Sequence, residues 1–241
     1  MAKLLLSTFA LMALSTAALS ADLPSKKAPV PTPAIIAGNW TGVYAGINGG
    51  YGNGSFKDPY VTPVVGSFSS TGALGGLQIG YNRQFGSYVI GVEADYDFAN
   101  LNSSKSAAAA TVINGNALSA AATIKIRQDS LGTARVRMGY AVDSALLYVT
   151  GGYAYAKAKV DVSGTATLNG VIWSGAGGNS QNHSGWVLGT GFEYDLGSHV
   201  SAKAEYLYAN LGSKTYWGGT VISDKVSLSD NIFRVGLNYR F

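Results

Sequence analysis

The last ten residues, Ile232–Phe241 (IFRVGLNYRF), alternate without interruption. Phe233, Val235, Leu237, Tyr239 and Phe241 fall on one face; Arg234, Gly236, Asn238 and Arg240 fall on the other. Strand side chains change face with a period of two, so this segment presents one wholly apolar face and one polar face carrying two charges. Such a strand belongs where its two faces meet different surroundings. In a soluble sandwich the apolar face looks inward, whereas in a barrel that crosses lipid it looks outward. The remaining runs decide between the two.

Period-two runs occur at Trp40–Gly52, Ala73–Phe85, Tyr88–Phe98, Thr123–Tyr140, Leu146–Lys159, Gly185–Leu196, Val200–Leu211 and the terminal segment. The third is clean, with Tyr88, Ile90, Val92, Ala94, Tyr96 and Phe98 opposed to Gly91, Glu93, Asp95 and Asp97. The first half of the fourth is the least regular, because Gln128 and Ser130 interrupt its apolar face. Connections alternate in length. Gly86–Ser87, Ala141–Ala145 and Gly197–His199 are short, while Asn53–Gly72, Ala99–Ala122, Val160–Ser184 and Gly212–Asp230 are long. Outer-membrane barrels have this rhythm of short periplasmic turns and longer extracellular loops, together with an even strand number. Ala107–Ala110 and Ala117–Ala122 read as short helical pieces within a long loop.

The polar faces collect Glu93, Asp95, Asp97, Glu193, Asp195 and Glu205 against Arg127, Arg135, Arg137, Lys203, Arg234 and Arg240. A soluble lipocalin-like barrel would turn these outward and line a ligand cavity with the apolar faces. A membrane barrel inverts the arrangement. Tyr81, Phe85, Tyr88, Tyr140, Tyr194, Tyr206, Tyr239 and Phe241 lie on the apolar faces near strand ends, where an interfacial aromatic girdle belongs. Glycine and alanine among the charges leave room inside a narrow lumen, where opposite charges must pair. The expected fold is an all-β, eight-stranded antiparallel transmembrane β-barrel. Its lumenal charge network comprises Glu93, Asp95, Arg135, Arg137, Glu193, Lys203, Glu205 and Arg234. Arg135, Arg137 and Arg234 are expected to pair with Glu93, Glu193 and Glu205, with Lys203 joining them. An eight-stranded interior is filled by side chains, so a plug is expected rather than a wide pore.

Before the barrel, Lys3 precedes an apolar run to Leu19 and the small residues Ser20 and Ala21, as in a secretory signal. Cleavage after Ala21 is the first choice, with Ser20 and Ala18 as alternatives. Residues 22–39 contain Pro24, Pro29, Pro31 and Pro33 and read as a proline-rich periplasmic linker, leaving 40–241 for the barrel. Charged residues make up 12% of the chain, cysteine is absent and the net charge is +4. That charge is too mild and too evenly spread to suggest nucleic acid. The two histidines, His183 in a long connection and His199 in a short turn, lie at opposite ends and cannot share a metal. His183–Ser184 resembles a base–nucleophile pair only in sequence; a surface-loop residue is the expected role. No catalytic, cofactor or metal residue is assigned. His183 with Tyr153 or Tyr216 is the sole haemin-contact reading.

The segments WTGVYAGINGGYG (Trp40–Gly52), GGLQIGYN (Gly75–Asn82), GVEADYDF (Gly91–Phe98), GTARVRMGY (Gly132–Tyr140), YVTGGYAYA (Tyr148–Ala156), GWVLGTGFEYDL (Gly185–Leu196), AKAEYLYANLG (Ala202–Gly212) and RVGLNYRF (Arg234–Phe241) resemble the small outer-membrane immunogenic proteins of alphaproteobacteria, often called RopB-like or "porin family" barrels. The resemblance covers every strand run and stops at the long connections. It implies a barrel like the OmpA membrane domain, a cell-surface location, and a role in envelope integrity and host or environment contact. A small nonspecific pore or haemin binding is the alternative. It also implies lipopolysaccharide, the barrel assembly machinery and host surface molecules as partners. The terminal Phe233, Val235, Leu237, Tyr239 and Phe241 resemble the assembly signal of such barrels. Ser130 stands where the family usually has an aromatic, which implies looser lipid contact there.

Overall fold

A computed structural model describes residues 38–57, 68–113, 115–216 and 224–241. The signal segment and the linker up to residue 37 lie outside the described residues. Eight strands follow one another: β1 (Gly42–Lys57), β2 (Phe68–Phe85), β3 (Tyr88–Ile113), β4 (Asn116–Val142), β5 (Ala145–Leu168), β6 (Val171–Gly197), β7 (Val200–Tyr216) and β8 (Asp224–Arg240). Each pairs antiparallel with the next, and β1 closes on β8 through partners such as Ile47↔Leu237 and Gly49↔Val235. Closure leaves no free sheet edge in the ring. Gly86, Asp143, Ser198 and His199 adopt positive φ in the short turns, the backbone that tight hairpins require.

Alternation sets which face goes where. Outward positions carry Val43, Ile47, Leu77, Ile79, Ile90, Val92, Val136, Met138, Leu147, Val149, Leu188, Val235 and Leu237, all strongly exposed. Inward positions on the same strands carry the charges. A one-residue slip would exchange the two sets, so the register is specified wherever this band exists.

Beyond the band, the structure departs from the expectation of loops. β3 through β6 run to 26, 27, 24 and 27 residues, whereas roughly 9–11 tilted residues cross a bilayer. The excess forms two hairpins whose tips hydrogen-bond, the Asn169 amide donating to the Ala117 carbonyl at 3.0 Å. Ala107–Ala110 and Ala117–Ala122 are therefore strand, paired as Ala107↔Ala122 and Ala110↔Ser119. Isolated helices of four to six residues cannot offset nucleation, while a growing ladder adds residues to existing structure.

Two irregularities matter. The β3–β4 register shifts between Phe98 and Leu101, and the β4–β5 register shifts between Gln128 and Ser130, leaving Asp129 unpaired in a bulge. The bulge changes the phase of β4. Gln128 points inward and is buried, Ser130 stays on the outer face, paired with the outward Phe98 and Lys157 and buried between its neighbours, and Arg127 is turned out of the lumen with its side chain half exposed. Arg127 thus leaves the polar face to which simple alternation assigned it. Ser130 keeps the outward face to which alternation assigned it, set between Phe98 and Lys157.

Candidate functional site

The barrel interior is layered along its axis. At the short-turn end, Trp40, Val89, Ala141, Leu146 and Tyr148 form an apolar cluster. Arg240 lies over the Trp40 ring at 5.3 Å and donates from Nη2 to Asp195 Oδ2 at 2.8 Å, marking the mouth.

Above that cluster sit the charges. Arg135, Arg137, Lys203 and Arg234 meet Glu93, Asp95, Asp97, Glu193 and Glu205, every one of them buried. Four cations against five carboxylates leave a formal charge of −1. Glu93 is the hub. It accepts from Tyr44 Oη at 2.6 Å, from Lys203 Nζ at 3.1 Å, from Arg137 Nη1 at 3.3 Å, and from Arg135. Arg135 also donates to Glu205 Oε1 at 2.9 Å and Asp95 Oδ2 at 2.8 Å. Arg137 donates to Glu193 Oε2 at 2.7 Å and lies 4.0 Å from the Tyr148 ring centroid, a close cation–π contact. Arg234 bridges three carboxylates, reaching Glu205 at 2.8 Å, Asp97 at 2.8 Å and Asp95 at 3.0 Å. Asp95 and Asp97 take the places that pairing with glutamates alone left unassigned. Asn238 and Ser201 donate to Glu193 at 2.7 and 2.6 Å, completing its shell.

Glycine makes the space for this packing. A Cβ at Gly80 would lie 2.4 Å from the Tyr44 ring, and one at Gly191 would lie 2.4 Å from the Tyr148 ring. Only a bare backbone lets these two rings lie against the wall and place their hydroxyls on Glu93 and Glu205, the latter at 3.1 Å from Tyr148 Oη.

A second apolar layer covers the charges on the side away from the short turns. It includes Leu74, Leu101, Leu131, Leu207, Leu211, Leu228 and Ile232, with Ala154, Ala156, Ala158 and Ala209 filling the narrower gaps. Leu74, Leu131, Leu207, Leu211 and the alanines occupy faces that sequence reading treats as polar or merely small, whereas Leu101 and Leu228 fall in stretches it treats as long connections. One polar pair is embedded there, Gln128 Nε2 donating to Asp230 Oδ2 at 2.8 Å.

The remaining candidates are dispersed. Phe233, Val235, Leu237, Tyr239 and Phe241 all face outward. His183 belongs to β6 rather than a surface loop, is fully buried, and hydrogen-bonds the Leu211 backbone. Its inward side chain and outward Ser184 lie on opposite faces of one strand, so they form no base–nucleophile pair. Tyr153 points outward and is half exposed, so it shares no ligand pocket with His183. The Tyr216 side chain lies outside the described residues. His199 lies in the short turn against Tyr239, with ring centroids 5.9 Å apart. Among the described residues, no group of histidines and carboxylates has metal-binding geometry.

Comparison with known proteins places this architecture. The family model for the outer membrane protein β-barrel domain matches residues 6–241. The 31 kDa outer-membrane immunogenic protein of Brucella melitensis is 34% identical, with 100% of each chain covered. The 25 kDa outer-membrane immunogenic protein of the same organism is 29% identical over 99% of this chain and 97% of its own. Among solved structures, the outer membrane protein OprG of Pseudomonas aeruginosa aligns with 86% of this chain and 99% of its own, at 15% identity and a TM-score of 0.45. A closed eight-stranded ring with an apolar outer band, matched from end to end by outer-membrane relatives, is a protein of the outer membrane β-barrel family, related to the outer-membrane immunogenic proteins and resident in the outer membrane.

Proposed function

We propose that this protein is a closed structural and surface component of the outer membrane, supporting envelope integrity and meeting host or environment through its extended hairpins. The observation that carries this reading is the filled lumen. A passing ion would have to displace four cations already bonded to carboxylates and then cross a leucine layer. Buried ions that lose a partner face a cost of several kcal/mol, and apolar constrictions exclude water. The same geometry argues against the small nonspecific pore. Haemin binding finds no support in the separated His183 and Tyr153. A strain lacking the gene is expected to become more sensitive to detergent, with resistance restored by the wild-type chain. Unchanged detergent resistance in that strain counts against the structural role.

We also assign residues 1–21 to the export signal, 22–39 to the periplasmic linker and the outward aromatic terminus to recognition by the barrel assembly machinery. Deleting Phe241 removes a side chain that is 75% exposed on the apolar face and contacts Tyr239 edge-on at 5.2 Å. It therefore leaves the lumenal packing untouched. The expected result is a lower level of barrel in the outer membrane, while protein that has inserted keeps its wild-type urea midpoint. Normal insertion of the deletion variant would remove the assembly role.

A further inference from the structure

The bulge at Asp129 turns Arg127 outward, and the consequence is a cationic patch on the outer wall. Arg127 lies directly across from Lys159, Lys125 across from Asp161, and Lys157 across from Ser130. Lys125, Arg127, Lys157 and Lys159 therefore share one face of β4 and β5. Directly opposed strand residues have Cβ atoms about 5 Å apart, and next-but-one residues along a strand lie roughly 7 Å apart. Four cations fall within that small area.

Two carboxylates accompany them. Arg127 meets Asp129 at 3.4 Å and Lys159 meets Asp161 at 3.1 Å, both pairs with half-exposed side chains. Exposed pairs of this kind are weak. Lys125 and Lys157 are exposed and make no ion pair among the described residues. Four cations less two carboxylates leave a local charge of +2, and the Arg127–Lys159 opposition is unfavourable without an anion between them.

Height on the barrel identifies the anion. Lys157 is the next outward residue after Tyr155 and Tyr153 on β5, and the neighbouring strands end their apolar bands at Phe98 on β3 and Trp186 on β6. These aromatics mark the outer rim of the lipid band. The cations stand immediately above it, on the side away from the short turns. Elsewhere along that rim the outward residues Asn53, Thr71, Asn102, Asn182 and Asn231 are uncharged. Lys125, Arg127 and Asp161 also line a groove of about 820 Å³ that crosses from β3 to β6, large enough for a sugar headgroup.

We propose that this β4–β5 face is a specific binding site for outer-leaflet lipopolysaccharide. Lys125, Arg127, Lys157 and Lys159 hold the anionic groups of its lipid A–inner-core region, and Tyr153 and Tyr155 lie beside its acyl chains. The site fixes one glycolipid against one side of the barrel rather than forming a uniform annulus.

The test uses the full-length mature barrel in detergent micelles, titrated with phosphorylated lipopolysaccharide, with the same material dephosphorylated, and with a heparin-like sulfated polysaccharide. The Lys125→Gln/Lys157→Gln double variant removes the two unpaired cations and leaves both salt bridges. Arg83→Gln, which alters an exposed arginine near the β2–β3 turn, is the control. The double variant is expected to lose about tenfold or more in affinity for the phosphorylated glycolipid, in keeping with the strength of hydrogen bonds to charged groups. The control should match wild type, and the dephosphorylated material should bind weakly to all three. Equal affinity of wild type and double variant for phosphorylated lipopolysaccharide would overturn the proposal. So would a loss confined to the sulfated polysaccharide, which would make the face a host-glycan site. Heat-modifiable migration of each variant verifies that the barrel is intact.

Discussion

Replacing Arg234 with methionine is expected to lower barrel stability by about 3–5 kcal/mol, read as a fall in the urea midpoint of reconstituted protein and as earlier loss of the heat-modifiable band. The guanidinium is completely buried and bonds three carboxylates at once. Methionine restores the volume without the charge, leaving Asp95, Asp97 and Glu205 short of a cation in a region closed to water. Asp97 suffers most, because Arg234 is its only ion-pair partner among the described residues. The double variant Arg234→Met/Asp97→Asn should therefore lose less than the two single effects combined. Additive losses would mean that the pair acts independently and that the network is not the unit of stability.

The second large effect separates the two kinds of apolar residue in this chain. Leu101→Ala and Leu207→Ala should each cost about 2–5 kcal/mol, because both side chains are enclosed in the upper lumenal layer and their removal leaves a cavity. Leu77→Ala should cost distinctly less in a bilayer. Leu77 is 66% exposed on the outer wall, where lipid tails fill the vacated volume. Leu77→Arg reverses that tolerance, at about 2–4 kcal/mol near the midplane. Denaturant midpoints of the four variants in one lipid check the ordering. Equal losses at Leu101 and Leu77 would mean that the lumenal layer is not packed.

Within the lipid band the sequence is legible because two periodicities agree. Apolar outward positions and charged inward positions alternate, and any slip exposes charge to lipid. That constraint shows the faces of Tyr88–Phe98 and Ile232–Phe241 directly. It weakens above the band, where water meets the outer face and alternation fades. There, hairpins written in alanine, serine and glycine look like loops. A local signal was present nonetheless: Asn114–Gly115 and Asn169–Gly170 stand in the middle of two long connections, and Asn-Gly is a strong turn dipeptide for a two-residue hairpin. In the second of them Asn169 and Gly170 both take positive φ.

Bulges defeat pattern reading for a different reason. One extra residue reverses the phase of everything beyond it, so simple alternation puts Arg127 in the lumen and Gln128 against lipid, the reverse of where they lie. The polar Gln128 on the nominally apolar face is the visible trace of that reversal. The membership of the charge cluster follows from face assignment, but the sharing of Asp95, Asp97 and Glu205 around Arg234 depends on strands far apart in sequence. Alternation along one strand carries no information about which charges meet across a barrel. The upper leucine layer is obscured because Leu131 and Leu207 sit on faces otherwise defined by charge, while Leu101 lies in a stretch that reads as a long connection.

The central claim is that the lumen is sealed by an ion-paired layer held between two apolar ones. Planar-bilayer recording of the purified wild-type barrel tests it most directly, with insertion verified by heat-modifiable migration of protein recovered from the same membranes. The account predicts a flat trace without unitary steps across the applied voltage range. Reproducible ohmic steps from the wild-type protein would contradict it.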